Sequence, residues 1–284
     1  MSMNSFHARS RRPRAAGESR SPQPRAGVRA DALLSELGLA ESRSAARRLI
    51  EAGRVRADGE LVRKASQELP ASARFEIAGD DQDRFVSRGG IKLADALLRS
   101  GIEVRGAECL DVGQSTGGFT DCLLQAGAQR VVGIEVGHGQ LHPRLAADPR
   151  VLAIERINAR DLSPAALGDA FPASGFDLVV CDASFISVTL LLPRWRALLR
   201  EGGQVLALVK PQFEVGPRGL GKGGIVRDPA QHAAVETRIR AAFVDAGMTV
   251  LGYFDSPIAG GDGNREFFIH ARRPEGPAAT GNHE

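Results

Sequence analysis

Four residues able to handle a proton stand at conspicuous places in the chain: Lys92, Asp182, Lys210 and Glu266. Lys210 ends the apolar run Val-Leu-Ala-Leu-Val at 205–209, where a lysine is costly to bury without partners. Pro211 fixes the chain's exit and holds Lys210 extended. Asp182 follows a nearly all-apolar run, so its carboxylate either caps the next helix or belongs to a site. Ser184 and Ser187 can cap as well, which leaves Asp182 freer for chemistry. Lys92 falls in the first turn of a helix opened by Ser87-Arg88-Gly89-Gly90, where a cation opposes the helix dipole. Glu266 starts the last apolar run, Phe267-Phe268-Ile269. Each alone has an ordinary reading as a solvated lysine or a capping acid. Together they need a fold that brings them to one place.

A binding stretch accompanies them. Residues 110–120 read Leu-Asp-Val-Gly-Gln-Ser-Thr-Gly-Gly-Phe-Thr. This is an apolar strand, then a turn of small residues (Gly113, Ser115, Thr116, Gly117, Gly118), then a helix with Phe119 on its apolar face. Glycines let the backbone approach a ligand, and the helix start offers free N–H groups, so the stretch suits a nucleotide-like cofactor. A tight turn without a ligand is the plainer alternative. The spacing fails the dinucleotide fingerprint, since the glycine after Gly113 is Gly117. Asp111 would repel a pyrophosphate but suits a cationic tail. S-adenosylmethionine therefore fits better than NAD. Glu135, 22 positions beyond Gly113, can accept both ribose hydroxyls. Asn158, after the third strand, is placed to meet an adenine edge or merely to cap a helix.

The elements that must position these residues alternate. Strands are expected near 108–112, 130–135, 151–155, 176–181, 204–209, 248–256 and 265–271. Helices are expected near 117–127, 139–147, 163–169, 187–200 and 229–246. This predicts an α/β fold: a Rossmann-like sheet of seven strands, mostly parallel, with the last pair antiparallel. Ligands in such sheets lie beyond the carboxyl ends of the strands, where the candidate residues fall. The glycine-rich loop from Lys210 to Pro229 reads as a substrate-facing lid, basic at Arg218, Lys222 and Arg227.

Ahead of this sheet the chain changes character. Residues 1–27 are rich in Arg, Ser and Pro and are expected to be a disordered basic tail. From 28 to 79 two short helices and an Asp58-Gly59 hairpin form a small α+β module. Ser42 is the expected N-cap of its second helix, and Gly53 the expected stop. Arg43, Arg47 and Arg48 line that helix, with Arg54, Arg56, Arg63 and Lys64 nearby, a face suited to a phosphate backbone or simply to solvent. A linker is expected at 80–86, the sheet domain at 87–273 and a flexible tail at 274–284. Net charge is +3, with seven arginines against one acid in the first 30 residues. Cys109, Cys122 and Cys181 show no paired spacing, and the six histidines show no ligand pattern, so neither disulfide nor metal is expected. No apolar run is long enough to span a membrane, and no secretory signal is seen. A cytoplasmic monomer is expected.

Two resemblances sharpen this reading. Arg29-x-Asp31, Leu37-Gly38, Ser42-Arg-Ser-x-Ala46, Leu49-Ile-x-x-Gly53-x-Val55 and Asp58-Gly59 look like the S4 RNA-binding module. Ser87-Arg-Gly-Gly-x-Lys92, Asp111-Val-Gly-x-Ser-Thr-Gly-Gly-Phe, Gly137-x-Gly-Gln-Leu141, Asp182-x-Ser-Phe-Ile-Ser, Val209-Lys-Pro-Gln-Phe-Glu214, Gly221-Lys-Gly-Gly and Gly263-Asn-x-Glu266 resemble the RNA ribose 2′-O-methyltransferases related to FtsJ. Both together closely resemble the TlyA family, also labelled hemolysin A. Gln114, Ala183, Glu135 and His138 are mild departures from its pattern.

The resemblance implies methyl transfer from S-adenosylmethionine to a ribose 2′-hydroxyl, on cytidine, of ribosomal RNA or a ribosomal subunit. It implies catalysis by Lys92, Asp182, Lys210 and Glu266. It places the cofactor at Asp111, Gly113, Ser115, Thr116, Gly117, Gly118, Phe119, Glu135, Asn158 and Asp182. RNA contacts are expected from Arg29, Arg43, Arg47, Arg48, Arg54, Arg56, Arg63, Lys64, Arg88, Arg218 and Lys222. The rival readings are a non-catalytic RNA-binding or ribosome-assembly protein, an NAD-dependent oxidoreductase and a membrane-lytic toxin. The four-residue set, the failed glycine spacing and the missing apolar span argue against them in turn.

Overall fold

A computed structural model of the chain describes residues 27–40, 42–78, 84–216 and 219–276. The expected basic tail (apart from residue 27), most of the junction at 80–86, Arg218 and the end of the chain from 277 lie outside the described residues. The chain forms two compact units that divide after Gly79.

In the first unit, β1 (Val28–Arg29) leads into α1 (Ala30–Glu36) and α2 (Arg43–Glu51). The Ser42 hydroxyl caps α2 by accepting from the Ala45 N–H at 3.2 Å. Its apolar stripe turns Ala46 and Ile50 inward. The chain then forms β2 (Val55–Ala57), β3 (Glu60–Leu61), β4 (Glu68–Leu69) and β5 (Phe75–Ile77). The β2–β3 hairpin turns on Asp58 and Gly59, both at positive φ, which is why Asp-Gly stands there. A small core gathers Leu34, Ala46, Ile50, Val55 and Val62.

The second unit opens with α3 (Gly89–Ser100). There follow β6 (Glu108–Val112), α4 (Gly118–Gln125), β7 (Arg130–Glu135), α5 (Pro143–Ala146), β8 (Val151–Glu155), α6 (Pro164–Leu167) and β9 (Phe176–Cys181). Then come α7 (Leu192–Leu198), β10 (Leu199–Val209), α8 (Pro211–Glu214), α9 (Pro229–Asp245), β11 (Thr249–Asp255) and β12 (Phe267–Arg272). The seven strands make one sheet in the order β11-β12-β10-β9-β6-β7-β8. Only β12 runs against the others, paired antiparallel with both β10 and β11. Apolar cores cover both faces, one built on Trp195, Phe176 and Phe243, the other on Leu93, Leu123 and Phe268.

Several boundaries differ from expectation. The helix expected over 187–200 breaks into a 3-10 turn (Val188–Leu190) and α7. Pro193 explains the break, because proline fits only the first turn of a helix. The helices expected over 139–147 and 163–169 shrink to single turns begun at Pro143 and Pro164. β10 starts five residues earlier than expected, its extra length absorbed by an irregularity between Leu199 and Gln204. The expected lid begins with the turn of α8, which Pro211 initiates. Cys109, Cys122 and Cys181 are buried free thiols, and burial pushes the thiols of Cys122 and Cys181 up to about 12.

Candidate active site

The sheet order sets the site. From β6 the chain steps outward to β7 and β8, then returns to β9 on the other side of β6. Between the carboxyl ends of β6 and β9 lies the switch point where open α/β sheets bind ligands. A cavity of about 580 Å³ opens there, within the roughly 300–1,000 Å³ usual for small-ligand sites. Val112, Ile134, Ile157, Ala183, Ile186 and Leu191 supply apolar walls, while Glu135, Gln140, Asn158 and Asp182 supply polar groups. Gly113 is at φ +84, and a Cβ there would approach the Ala183 backbone to 3.0 Å. Glycine is required at this position, because the turns after β6 and β9 come too close for a side chain.

Glu135 ends β7 at the cavity wall. Its carboxylate accepts from the Ser115 N–H at 2.9 Å and the Gly137 N–H at 2.8 Å. The Ser115 hydroxyl bonds Gln140 at 3.2 Å, closing a polar rim of which Gln140 alone was not assigned from the sequence. Asn158 lines the cavity, and its side chain also accepts from the Arg160 N–H at 3.0 Å to cap a 3-10 turn. Thr116, Gly118 and Phe119 line a second space of about 170 Å³, together with Ser87, Gly89 and Lys210. Both spaces share Gly113, Ser115, Asp182 and Ser184.

Two expected cofactor residues stand behind these walls. Asp111 has no exposed surface and accepts from the Thr120 hydroxyl at 2.7 Å, while Thr120 accepts from the Gln114 amide at 2.9 Å. Burial pushes the Asp111 carboxyl up to about 7. Gly117 begins α4 at φ +94, and a Cβ there would meet Leu145 at 2.3 Å. Both positions shape the turn from beneath and line neither space.

The four proton-handling residues come to one end of the sheet as two ion pairs. The Lys92 amine meets Glu266 at 2.6 Å, with both side chains buried. This partner explains a cation in the first turn of α3. The Lys210 amine meets the Asp182 carboxylate at 2.7 Å and donates to the Ser184 hydroxyl at 2.8 Å. Register accounts for the juxtaposition: Val209 pairs with Phe267, so Lys210 and Glu266 flank the same rung, and Asp182 ends the neighbouring strand. Among the described residues no hydrogen bond or ion pair joins one pair to the other. Ser187 caps the 3-10 turn, accepting from the Thr189 N–H at 3.3 Å, whereas Ser184 serves Lys210. Phe185 is 90% exposed and sits at φ +63, its ring 5.2 Å from that of Phe213.

The lid carries two buried ties that one sequence does not reveal. Asn264, with no exposed surface, accepts from the Val226 N–H at 2.9 Å and donates to the Gly224 carbonyl at 3.1 Å. Glu214 is buried against Ser187, Val188 and Arg238. Their place in the motifs Gly263-Asn264-x-Glu266 and Lys210-Pro-Gln-Phe-Glu214 was the available signal.

The expected RNA-binding cations divide. Arg29 and Arg43 both pair with Asp31, at 2.9 and 3.2 Å, and Arg29 chiefly holds that carboxyl down at about 2. Arg47 pairs with Glu51 one turn on. Arg54 and Arg56 donate to the carbonyls of Ala78 and Gly59. Arg48, Arg63 and Lys64 are exposed and make no ion pair among the described residues. In the second unit Arg88 donates to the Ala259 carbonyl at 2.7 Å, and Lys222 is exposed.

A Rossmann-like sheet with a nucleoside-sized cavity at its switch point, an acid ending the second strand of its sheet and Lys210 lining the adjoining space suits a methyltransferase of the S-adenosylmethionine-dependent class. The chain belongs to the FtsJ-like methyltransferase family, whose model matches residues 85–273, and an S4 domain matches residues 28–74. It is 43% identical over 246 residues to the rRNA methyltransferase YqxC of Bacillus subtilis, covering 87% of this chain and 86% of that protein. It is 42% identical over 245 residues to the 16S/23S rRNA (cytidine-2′-O)-methyltransferase TlyA of Mycobacterium tuberculosis, covering 86% and 90%. A solved structure described as a hemolysin from Streptococcus thermophilus superposes with a TM-score of 0.67 at 39% identity, over 89% of this chain and 90% of that one. S-adenosylmethionine is the cofactor. The residues present fit it: an apolar slot, the carboxylate of Glu135 at its wall, and a glycine turn whose crowding leaves little space for a Cβ. Among the described residues no helix is long and apolar enough to cross a membrane, and no cluster of His, Cys, Asp or Glu could hold a metal ion.

Proposed function

We propose that the chain methylates a ribose 2′-hydroxyl of ribosomal RNA, on a cytidine, with its S4 domain holding the RNA. The observation that carries this reading is the Lys210 amine, tied to Asp182 and Ser184 where the two spaces at the sheet's edge meet. Bound S-adenosylmethionine supplies an electrophilic methyl group on a sulfonium. The protein's task is to make a weak nucleophile attack it. Lys210 donates a hydrogen bond to the 2′-oxygen and stabilises the negative charge that grows as its proton leaves for solvent. Asp182 and Ser184 fix the direction of that amine. Lys92, held by Glu266 at 2.6 Å, is the second amine at this end of the sheet, and its position is fixed by a helix and a strand. Much of the acceleration comes from alignment alone. Phe185, an exposed aromatic ring beside Lys210's partner Ser184, offers a face on which the base of the target nucleotide stacks. The names of the two relatives support ribosomal RNA as substrate.

The test is to incubate the purified protein with radiolabelled S-adenosylmethionine and either separated ribosomal subunits or naked rRNA, then map the modified nucleoside. Label in 2′-O-methylcytidine is the expected result. Lys210→Ala should abolish transfer while donor binding, read by calorimetric titration, stays largely intact. Full activity in that variant would remove Lys210 from its role.

A further inference from the structure

Glu214 takes no part in the chemistry just described, yet its side chain is only 1% exposed. It closes the single turn of α8 that starts after Lys210. Its carboxylate accepts from the Ser187 hydroxyl at 2.7 Å, the Val188 N–H at 2.9 Å and the Arg238 guanidinium at 3.0 Å. Arg238 also donates to the Glu214 carbonyl at 2.7 Å. Two of these donors lie in the turn after β9, and the third comes from α9.

Lys210, at the other end of the same short segment, reaches the same turn through Asp182 and Ser184. Residues 182–188 and 210–214 are thus tied at both ends, with the rings of Phe185 and Phe213 in contact between the ties. Burying a carboxylate is expensive, and an apolar side chain of similar size would fill the space at lower cost. What the carboxylate adds is direction. It fixes the turn that holds Phe185 in the left-handed region, a conformation that persists in an L-residue only where its surroundings impose it.

We propose that Glu214 is a positioning residue for methyl transfer, which locks the turn carrying Asp182, Ser184 and Phe185 to the segment carrying Lys210. This rests on the role given to Lys210 above. A loosened turn lets the Lys210 amine drift from the reacting oxygen, and small misplacements of this kind are costly in rate. The turn gives the donor cavity Asp182, Ala183, Ser184, Phe185 and Ile186, but the turns after β6, β7 and β8 supply most of the rest, so donor binding should fall less than the rate.

The test compares the full-length protein with Glu214→Ala, Glu214→Gln and Ser187→Ala. The amide of the glutamine variant still accepts from the Val188 N–H but loses charge toward Arg238. Glu214→Ala should lower kcat roughly ten- to hundredfold. KM for the RNA and the Kd for S-adenosylmethionine should change much less than kcat, because Glu214 touches neither ligand and acts on both only through the turn. Glu214→Gln should recover part of the loss. Amide hydrogen exchange across 183–190 should quicken in the alanine variant without any ligand present. If Glu214→Ala does not fold, Ser187→Ala and Glu214→Gln decide the matter through the same kcat-against-KM split. Unchanged kcat or unchanged exchange in a folded variant overturns the proposal. So does a loss shared equally by donor binding and not relieved by glutamine, which marks a merely structural role. A wild type that methylates no RNA overturns the functional reading and the catalytic consequence drawn from it, and exchange then decides the tie alone.

Discussion

Asp111 shows how far a residue's type can mislead about its position. An acid at the end of the first strand of a nucleoside-binding sheet suggests a partner for a cationic ligand. The carboxylate instead turns down into the protein, takes the Thr120 hydroxyl and, among the described residues, leaves its other oxygen without a hydrogen bond. Gln114 completes that network and occupies the space where a Cβ on Gly133 would stand, so its departure from the family pattern and the glycine on the next strand go together. Burial raises the carboxyl to about 7, which favours the protonated form in the folded state. Between the unfolded value near 3.8 and about 7 the folded state binds more protons than the unfolded one, so this group costs stability as pH rises through that window. Asn at this position keeps an acceptor for Thr120 and does not titrate. Asp111→Asn should therefore gain on the wild type by roughly 2–3 kcal/mol between about pH 5 and pH 8, at about 1.4 kcal/mol per pKa unit. Denaturant unfolding at both pH values reads this directly, and a difference that does not move with pH would remove Asp111 as a titrating group.

At the scale of elements, the lid is the part whose behaviour follows from a few ties. Asn264 uses both ends of its amide, accepting from Val226 and donating to Gly224 and Asp262. Asn264→Ala leaves the buried Val226 N–H and the Gly224 carbonyl unpaired, a cost of about 1–3 kcal/mol. Limited proteolysis should then cut within 219–228 faster than in the wild type, and equal cutting would show that the loop is held by other contacts. The strands and long helices were legible in the sequence, because apolar runs and capping residues are local signals: Ser42 stands where its helix begins. The same runs told that Asp182 and Lys210 follow strands and that Glu266 opens the last one, and the family motif added Lys92 from a helix start. The family resemblance implied that Asp182 orients Lys210 and that Glu266 positions Lys92 or the ribose, and the two ion pairs match it; the geometry of the pairs was hidden, since it depends on the register of β10 with β12. The ties of Glu214 and Asn264 were equally hidden, because burial of a polar side chain is decided by residues far away in the chain. Short helices were overestimated where a proline starts a single turn, as at Pro143 and Pro164.

Across the whole molecule there are two units with separate cores, to which the proposed function gives recognition and chemistry respectively. Counting basic residues overstates the first unit's capacity for phosphate. Arg29 and Arg43 are committed to Asp31, whose carboxyl the hydrogen bond from Arg29 chiefly holds down at about 2, and Arg47 is committed to Glu51. These pairs secure α1 and α2, so replacing them would confuse folding with binding. Arg48, Arg63 and Lys64 are exposed and make no ion pair among the described residues, which makes them the cations able to displace counterions from RNA. Each phosphate contact should contribute about 0.7–0.9 to the slope of log affinity against log salt. Replacing the three together with alanine should weaken rRNA binding and flatten that slope by roughly 2 to 3, measured by fluorescence anisotropy between about 50 and 200 mM salt. Affinity for S-adenosylmethionine should not change, because its cavity is built wholly from the second unit. Replacing Arg29 and Arg43 instead should lower the melting temperature of the first unit, and with it RNA binding. An unchanged salt slope in the triple variant would move RNA recognition away from this face and onto the basic residues of the methyltransferase domain.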